Sequence, residues 1–168
     1  ADSRLVSRPA FPAWQLSASL GGQESGGDSV FVDRVLSLAF SPDGTLLAAG
    51  GGEASRSGQL TLWSTADNSL VHQFADAHSD TVYGIDFSAD GKQIASAAAD
   101  KFVKVFDVAT KQFIRSFEGH THHVMDVSWK SDRTTLASAG ADNAIKVWNA
   151  ETGEQARTIA TYTRQVTS

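Results

Sequence analysis

The feature that most constrains this chain is a spacing of 42 residues that recurs at unrelated positions. Val82 and Val124 keep it, as do Phe87 and Trp129, Asp100 and Asp142, Phe106 and Trp148, and His78 and His120. One such pair is weak evidence. Agreement across apolar, acidic, aromatic and histidine positions marks a repeated structural unit. Two copies read VYGIDFSADGKQIASAAADKFVKVFD and VMDVSWKSDRTTLASAGADNAIKVWN. An earlier copy, VLSLAFSPDGTLLAAGG ending in QLTLWS, is about five residues longer because GGEASRSG (Gly51 to Gly58) enlarges one connection.

Each copy reads as four short strands. The first is V-x-x-V/I/L-x-F/W, closed by SPDG or SADG, where Asp-Gly suits a tight hairpin turn. The third copy has SDRT there and must turn by other chemistry. The second strand (LLAAG, QIASA, TLASA) is built of small residues that let neighbouring sheets approach closely. The third (QLTLW, FVKVF, AIKVW) alternates with period two, and the fourth is SLVHQF, QFIRSF or QARTI. Helical periodicity is nearly absent, so the expected class is all-β. Phe40, Phe87 and Trp129 recur at one position, and Trp63, Phe106 and Trp148 at another; both sets read as core.

A Gly-His pair (Gly119, His120), an Asp before the third strand (Asp100, Asp142) and the endings Trp63-Ser64, Phe106-Asp107 and Trp148-Asn149 complete the pattern. With these marks the chain resembles the WD-repeat β-propeller family over residues 14–168, leaving 1–13 as an N-terminal extension. No copy carries a literal Trp-Asp. The resemblance implies blades of four antiparallel strands, the outermost strand of each coming from the preceding sequence repeat. On that register three blades lie at about 35–75, 82–118 and 124–160. Trp14 to Leu20 matches an outer strand of an earlier blade, and Val166-Thr167-Ser168 the start of a later one. Known propellers close with roughly 4–8 blades, so three leave an incomplete ring. The expectation is a piece of a longer protein, with closure by homo-oligomerisation as the alternative.

The resemblance also places His120, Ser138, Asp142 and Trp148 at the family's structural tetrad positions. There the histidine bridges the turn aspartate and the strand-two hydroxyl, which accepts the indole N–H. Copy two supplies His78, Ser96 and Asp100, with Phe106 in place of the Trp, so Ser96 must bond elsewhere. Copy one lacks the set: the matching histidine position falls near Gln23, and Ala49 replaces the serine. The same Ser, His and Asp types would also spell a hydrolase relay around Ser138. That relay needs an exposed nucleophile and an oxyanion hole. No G-x-S-x-G elbow is present, and recurrence in copy two points to structure rather than to a unique active site.

His122 and His123 have no echo; the matching residues are Asp80 and Thr81. A metal-dependent enzyme using His120, His122 and His123 is a rival reading, but adjacent side chains diverge in extended chain and zinc needs three or four converging ligands. Both histidines enter a first strand, on the face of the propeller where loops gather. With Asp126 (matching Gly84 and Ser37) and Tyr83 they form a candidate interaction surface. Glu53 and Arg56, on the long glycine-rich and therefore mobile connection, are a second candidate.

Charge and composition trim the function classes. The net charge is −5, and 14 Lys and Arg are scattered among 19 Asp and Glu, which argues against nucleic acid. The chain has no cysteine, which excludes disulfides, thiolate metal sites and haem attachment within it. No run approaches the roughly 18 apolar residues of a membrane span. The expected function is a non-catalytic scaffold, without cofactor, that binds another protein, a neighbouring domain or the remaining blades of its own propeller. AHSDTV, AADKFVKVFD and FEGHTHHV are similar to WD-repeat regions of bacterial exported proteins that also carry a c-type cytochrome domain. That narrower likeness implies a periplasmic redox scaffold; otherwise the compartment would be the cytoplasm.

Overall fold

The computed structural model describes residues 19–20 and 30–160. The flanking matches at Trp14 to Leu20 and Val166 to Ser168 fall outside these residues, apart from Ser19 and Leu20. Twelve strands follow one another with no helix among the described residues. The first sheet contains β1 (Arg34–Phe40), β2 (Leu46–Gly52), β3 (Gly58–Ser64) and β4 (Leu70–His78). The second contains β5 (Val82–Phe87), β6 (Gln93–Ala98), β7 (Val103–Asp107) and β8 (Phe113–Phe117). The third contains β9 (Val124–Trp129), β10 (Thr135–Gly140), β11 (Ile145–Asn149) and β12 (Gln155–Ile159). Each is an antiparallel meander in chain order, so the all-β expectation of four-stranded units holds.

The Asp-Gly turns work differently from a simple tight hairpin. Only the glycine takes left-handed backbone, Gly44 at φ 72° and Gly91 at φ 69°. The aspartate serves instead as an acceptor: Asp43 takes the Ser41 hydroxyl at 2.6 Å and the Thr45 N–H at 3.0 Å. Asp90 takes the Ser88 hydroxyl at 2.8 Å. In the third copy Arg133 occupies the left-handed position at φ 66°, and Asp132 accepts from the Thr134 and Thr135 N–H groups.

Period-two alternation sends the two middle strands of the second sheet, β6 and β7, to two interfaces. Ile94, Ala98 and Phe106 pack with Leu60, Leu62 and Phe74 of the first sheet. Ala95, Ala97, Val103 and Val105 pack with Val124, Val127, Leu136 and Trp148 of the third. The innermost strand β5 touches β1 on one side and β9 on the other. Val82, Ile85 and Phe87 of β5 fill the first interface, and Val124, Val127 and Trp129 of β9 the second. The matching residues of β1, Val35, Leu38 and Phe40, are 41%, 62% and 66% exposed. The first sheet therefore presents an apolar row that has no described sheet against it.

The long connection is a continuation of the β2–β3 hairpin. Its turn is closed by bonds from the Arg56 and Ser57 N–H groups to the Glu53 carbonyl, at 3.1 and 3.0 Å. The Ser55 N–H reaches the Asp80 carboxylate at 2.7 Å. The glycines read in sequence as a source of mobility have a packing role. A Cβ on Gly51 would collide with the Arg34 carbonyl, and one on Gly58 with that of Asp80.

Candidate recognition surface and the histidine networks

His120 leaves β8 through Gly119 and stops before β9; Asp142 sits in the β10–β11 turn, Ser138 in mid-β10 and Trp148 on β11. The strands bring all four together. His120 Nδ1 lies 2.9 Å from both oxygens of Asp142, His120 Nε2 lies 2.8 Å from Ser138 Oγ, and Trp148 Nε1 donates to Ser138 Oγ at 2.8 Å. A carboxylate only accepts, so the Nδ1–H donates to Asp142, Nε2 accepts the serine O–H, and the serine oxygen accepts the indole. Every side-chain polar atom of this network is matched.

The second network repeats it. His78 Nδ1 lies 3.0 and 2.9 Å from the Asp100 oxygens, and Nε2 2.7 Å from Ser96 Oγ. Phe106 offers no donor, and the chain of bonds ends at Ser96. Burial pushes both histidines below their ordinary pKa, against the opposing pull of Asp100 and Asp142. Burial raises the two aspartates, but hydrogen bonds outweigh it: those from His78, and those from the Thr121 N–H and His120, hold the carboxyls below the ordinary range. Both imidazoles are therefore neutral at pH 7 beside ionised carboxylates.

This arrangement has the connectivity of a Ser-His-Asp relay but not its access. Ser138 is 2% exposed, and its oxygen already accepts the indole. In the first sheet, which has Ala49 at the serine position, Thr61 takes the hydroxyl role. Trp63 Nε1 donates to Thr61 Oγ1 at 2.9 Å, and Thr61 donates to the Ala49 carbonyl at 3.2 Å. The signal was present, since Thr61 stands where the other copies have Lys104 and Lys146. It was masked because the hydroxyl comes from the Trp's own strand.

The unrepeated histidines form a different feature. Their rings do not diverge: the chain bends at Thr121 and His122, the ring centroids lie 4.4 Å apart, and His122 Nδ1 accepts the His123 N–H at 2.9 Å. Tyr83 lies 6.2 Å from the His123 ring, which makes an aromatic strip across the tops of β5 and β9. Asp126 is half-buried below, packed over Gly84, and burial raises its pKa with a smaller push from Asp86. Glu53 and Arg56 pair with each other at 3.1 Å on the long hairpin and make no described bond to this strip. Among the described residues no group of three His, Asp or Glu is placed to hold a metal ion.

The family described as "WD domain, G-beta repeat" matches three stretches, 27–64, 68–107 and 111–149. Among curated proteins, "U3 small nucleolar RNA-associated protein 12" of Saccharomyces cerevisiae is 36% identical over 72 residues, which are 43% of this chain and 7% of that protein. "Intraflagellar transport protein 122 homolog" of Homo sapiens is 39% identical over 69 residues, 41% of this chain and 5% of that protein. The chain thus spans a small fraction of these relatives. Of solved structures, "Structure of U3-55K" aligns with TM-score 0.72 at 23% identity, covering 79% of this chain and 41% of that one. "Crystal structure of RRP9 WD40 repeats" aligns at 0.71 and 23%, covering 79% and 40%.

Proposed function

Because the chain belongs to the WD-repeat family, whose model positions cover most of its length, we propose that it is a non-catalytic scaffold that binds a protein partner through the His122–His123–Tyr83 strip, with Asp126 beneath it. One observation carries this reading: the histidines that follow the repeat are buried in bonded networks, whereas the adjacent pair His122 and His123, exposed and half-buried, has no echo and lies beside a tyrosine. Side chains that serve the fold repeat with the fold; those that serve recognition need not.

His120, Ser138, Asp142 and Trp148, with His78, Ser96 and Asp100, are structural in this reading. They tie the loop before each inner strand to the turn that faces it. The exposed row Val35, Leu38 and Phe40 supports a further sheet on that face, supplied by a longer protein or by a second copy. The relatives named above are eukaryotic, and one is named for association with a small nucleolar RNA. For a chain of net charge −5, a place in such an assembly would come through protein contacts. The bacterial cytochrome-linked version rests on likeness of three short segments alone.

The test is affinity capture with the chain and with His122→Ala/His123→Ala, followed by mass spectrometry and by binding measurements on the captured protein. A partner whose affinity falls in the variant, with unchanged thermal stability, supports the surface. Partners bound equally by both chains would remove it.

A further inference from the structure

A cleft of about 890 Å³ opens between the first and second sheets, away from the histidine strip. Phe102 and Ala75 line it together with Gln59, Gln73, Arg56 and Lys104. Three features of its wall depart from the repeat. First, β4 bulges there. Pairing runs from Gly58 with His78 to Leu60 with Phe74, so Ala75, Asp76 and Ala77 all stand opposite Gln59. Asp76 takes left-handed backbone at φ 50°. The bulge adds one residue between the strand-four phenylalanine and the histidine, compared with Phe117 to His120. Bulges of this kind redirect backbone groups out of the ladder and gather beside binding sites.

Second, Lys104 of β7 crosses the cleft to the Ala77 carbonyl at 2.6 Å. An ammonium has three donors, and among the described residues no carboxylate forms an ion pair with Lys104. The matching Lys146 is satisfied inside its own sheet by Gln155 and Thr158. Third, the extended β2–β3 hairpin carries Arg56 to the rim, where its described ion pair is the solvated one with Glu53. Such a pair is weak and readily exchanged. Asp100, which also lines the cleft, is taken up by His78 and by the Ser79 and Phe102 N–H groups. The opposing charges in the wall are Asp76 and Asp100, and Asp100 already has those donors against it.

We propose that this cleft binds an extended acidic segment of a protein partner. A carboxylate takes the remaining donors of Lys104, a second meets Arg56, and an apolar side chain rests on Phe102 and Ala75. A small free anion would use the two cations but leave the apolar wall and the bulged backbone in water, whereas an extended peptide uses all three. The proposal rests on the scaffold reading but puts its ligand on the side of the sheets, so each can fail alone.

The test selects a randomised dodecapeptide phage library on the full chain. Enriched peptides, fluorescein-labelled, are then titrated by anisotropy against the wild type, Arg56→Glu, Lys104→Gln and His122→Ala/His123→Ala. The expected result is enrichment of Asp or Glu next to an apolar residue. Binding should weaken about tenfold in each cleft variant, stay unchanged in the histidine variant, and fall with salt. Arg56 lies on an exposed turn, so Arg56→Glu keeps the test valid even if Lys104→Gln disturbs folding. No enrichment, enriched peptides without carboxylates, or affinities indifferent to Arg56→Glu overturn the proposal. Peptides that respond only to the histidine variant also overturn it while leaving the strip as the binding surface.

Discussion

Trp148 donates its indole N–H to Ser138 Oγ at 2.8 Å, whereas Phe106, at the matching place in the second sheet, has nothing to donate to Ser96. The third sheet therefore has one more buried bond in its histidine network than the second, on an otherwise shared frame.

Removing that donor isolates its contribution. Trp148→Phe keeps an aromatic ring in the second core cluster but ends the chain of bonds at Ser138. It should cost about 1 kcal/mol for the bond, plus a smaller packing loss. His120→Ala strands the Asp142 carboxylate and the Ser138 hydroxyl and should cost roughly 1–3 kcal/mol. Urea unfolding midpoints measure both. A His120→Ala loss below that of Trp148→Phe would contradict the network ordering.

Acid should act through the two buried histidines. Their folded pKa values lie below the ordinary 6.5. The unfolded chain therefore binds more protons once the pH drops below that value, and stability rises with pH across the window. It is complete above about pH 6.5 and is lost as the pH falls toward the folded values. The depressed Asp100 and Asp142 add a second loss below about pH 4. Melting temperatures from pH 7.5 to about pH 5 should fall in the wild type and flatten in His120→Ala/His78→Ala; an unchanged slope in the double variant would assign the acid sensitivity elsewhere.

The third copy's turn carries an arginine where the first two have glycine. At φ 66° Arg133 pays for left-handed backbone that Gly44 and Gly91 adopt freely. Arg133→Gly relieves that cost but adds unfolded-state entropy, and the 3.6 Å contact to Asp90 that it loses is exposed. A net gain of up to about 1 kcal/mol is expected by chemical denaturation. A clear loss would mean the Asp90 contact is worth more than its exposure implies.

The apolar row of β1 makes the isolated 17.8 kDa chain prone to self-association. Light scattering should show a mass that grows with concentration, and Leu38→Glu/Phe40→Glu should lower it toward the monomer. A wild type that stays monomeric to high concentration would show that this face is covered by other means.

The sequence by itself determined the strands, their grouping in fours and the class of the fold. A 42-residue period, with alternation inside it, reports which side chains face a neighbouring sheet, and that pattern is local to each strand. The same period separated His78 and His120 from His122 and His123. The tertiary structure decided what happens where the repeat is broken. Thr61 serves Trp63 from its own strand; comparison between copies shows a hydroxyl where Lys104 and Lys146 stand, but not that the indole bonds to it. The bend at Thr121 and His122 brings the rings of His122 and His123 together, where extended chain would separate them. Gly51 and Gly58 are small because the carbonyls of Arg34 and Asp80 lie against them. The side cleft arises from the β4 bulge and the reach of Lys104 between sheets. The first two are local departures from the repeat, and the last two depend on the approach of segments distant in the chain; the period carries no information about either.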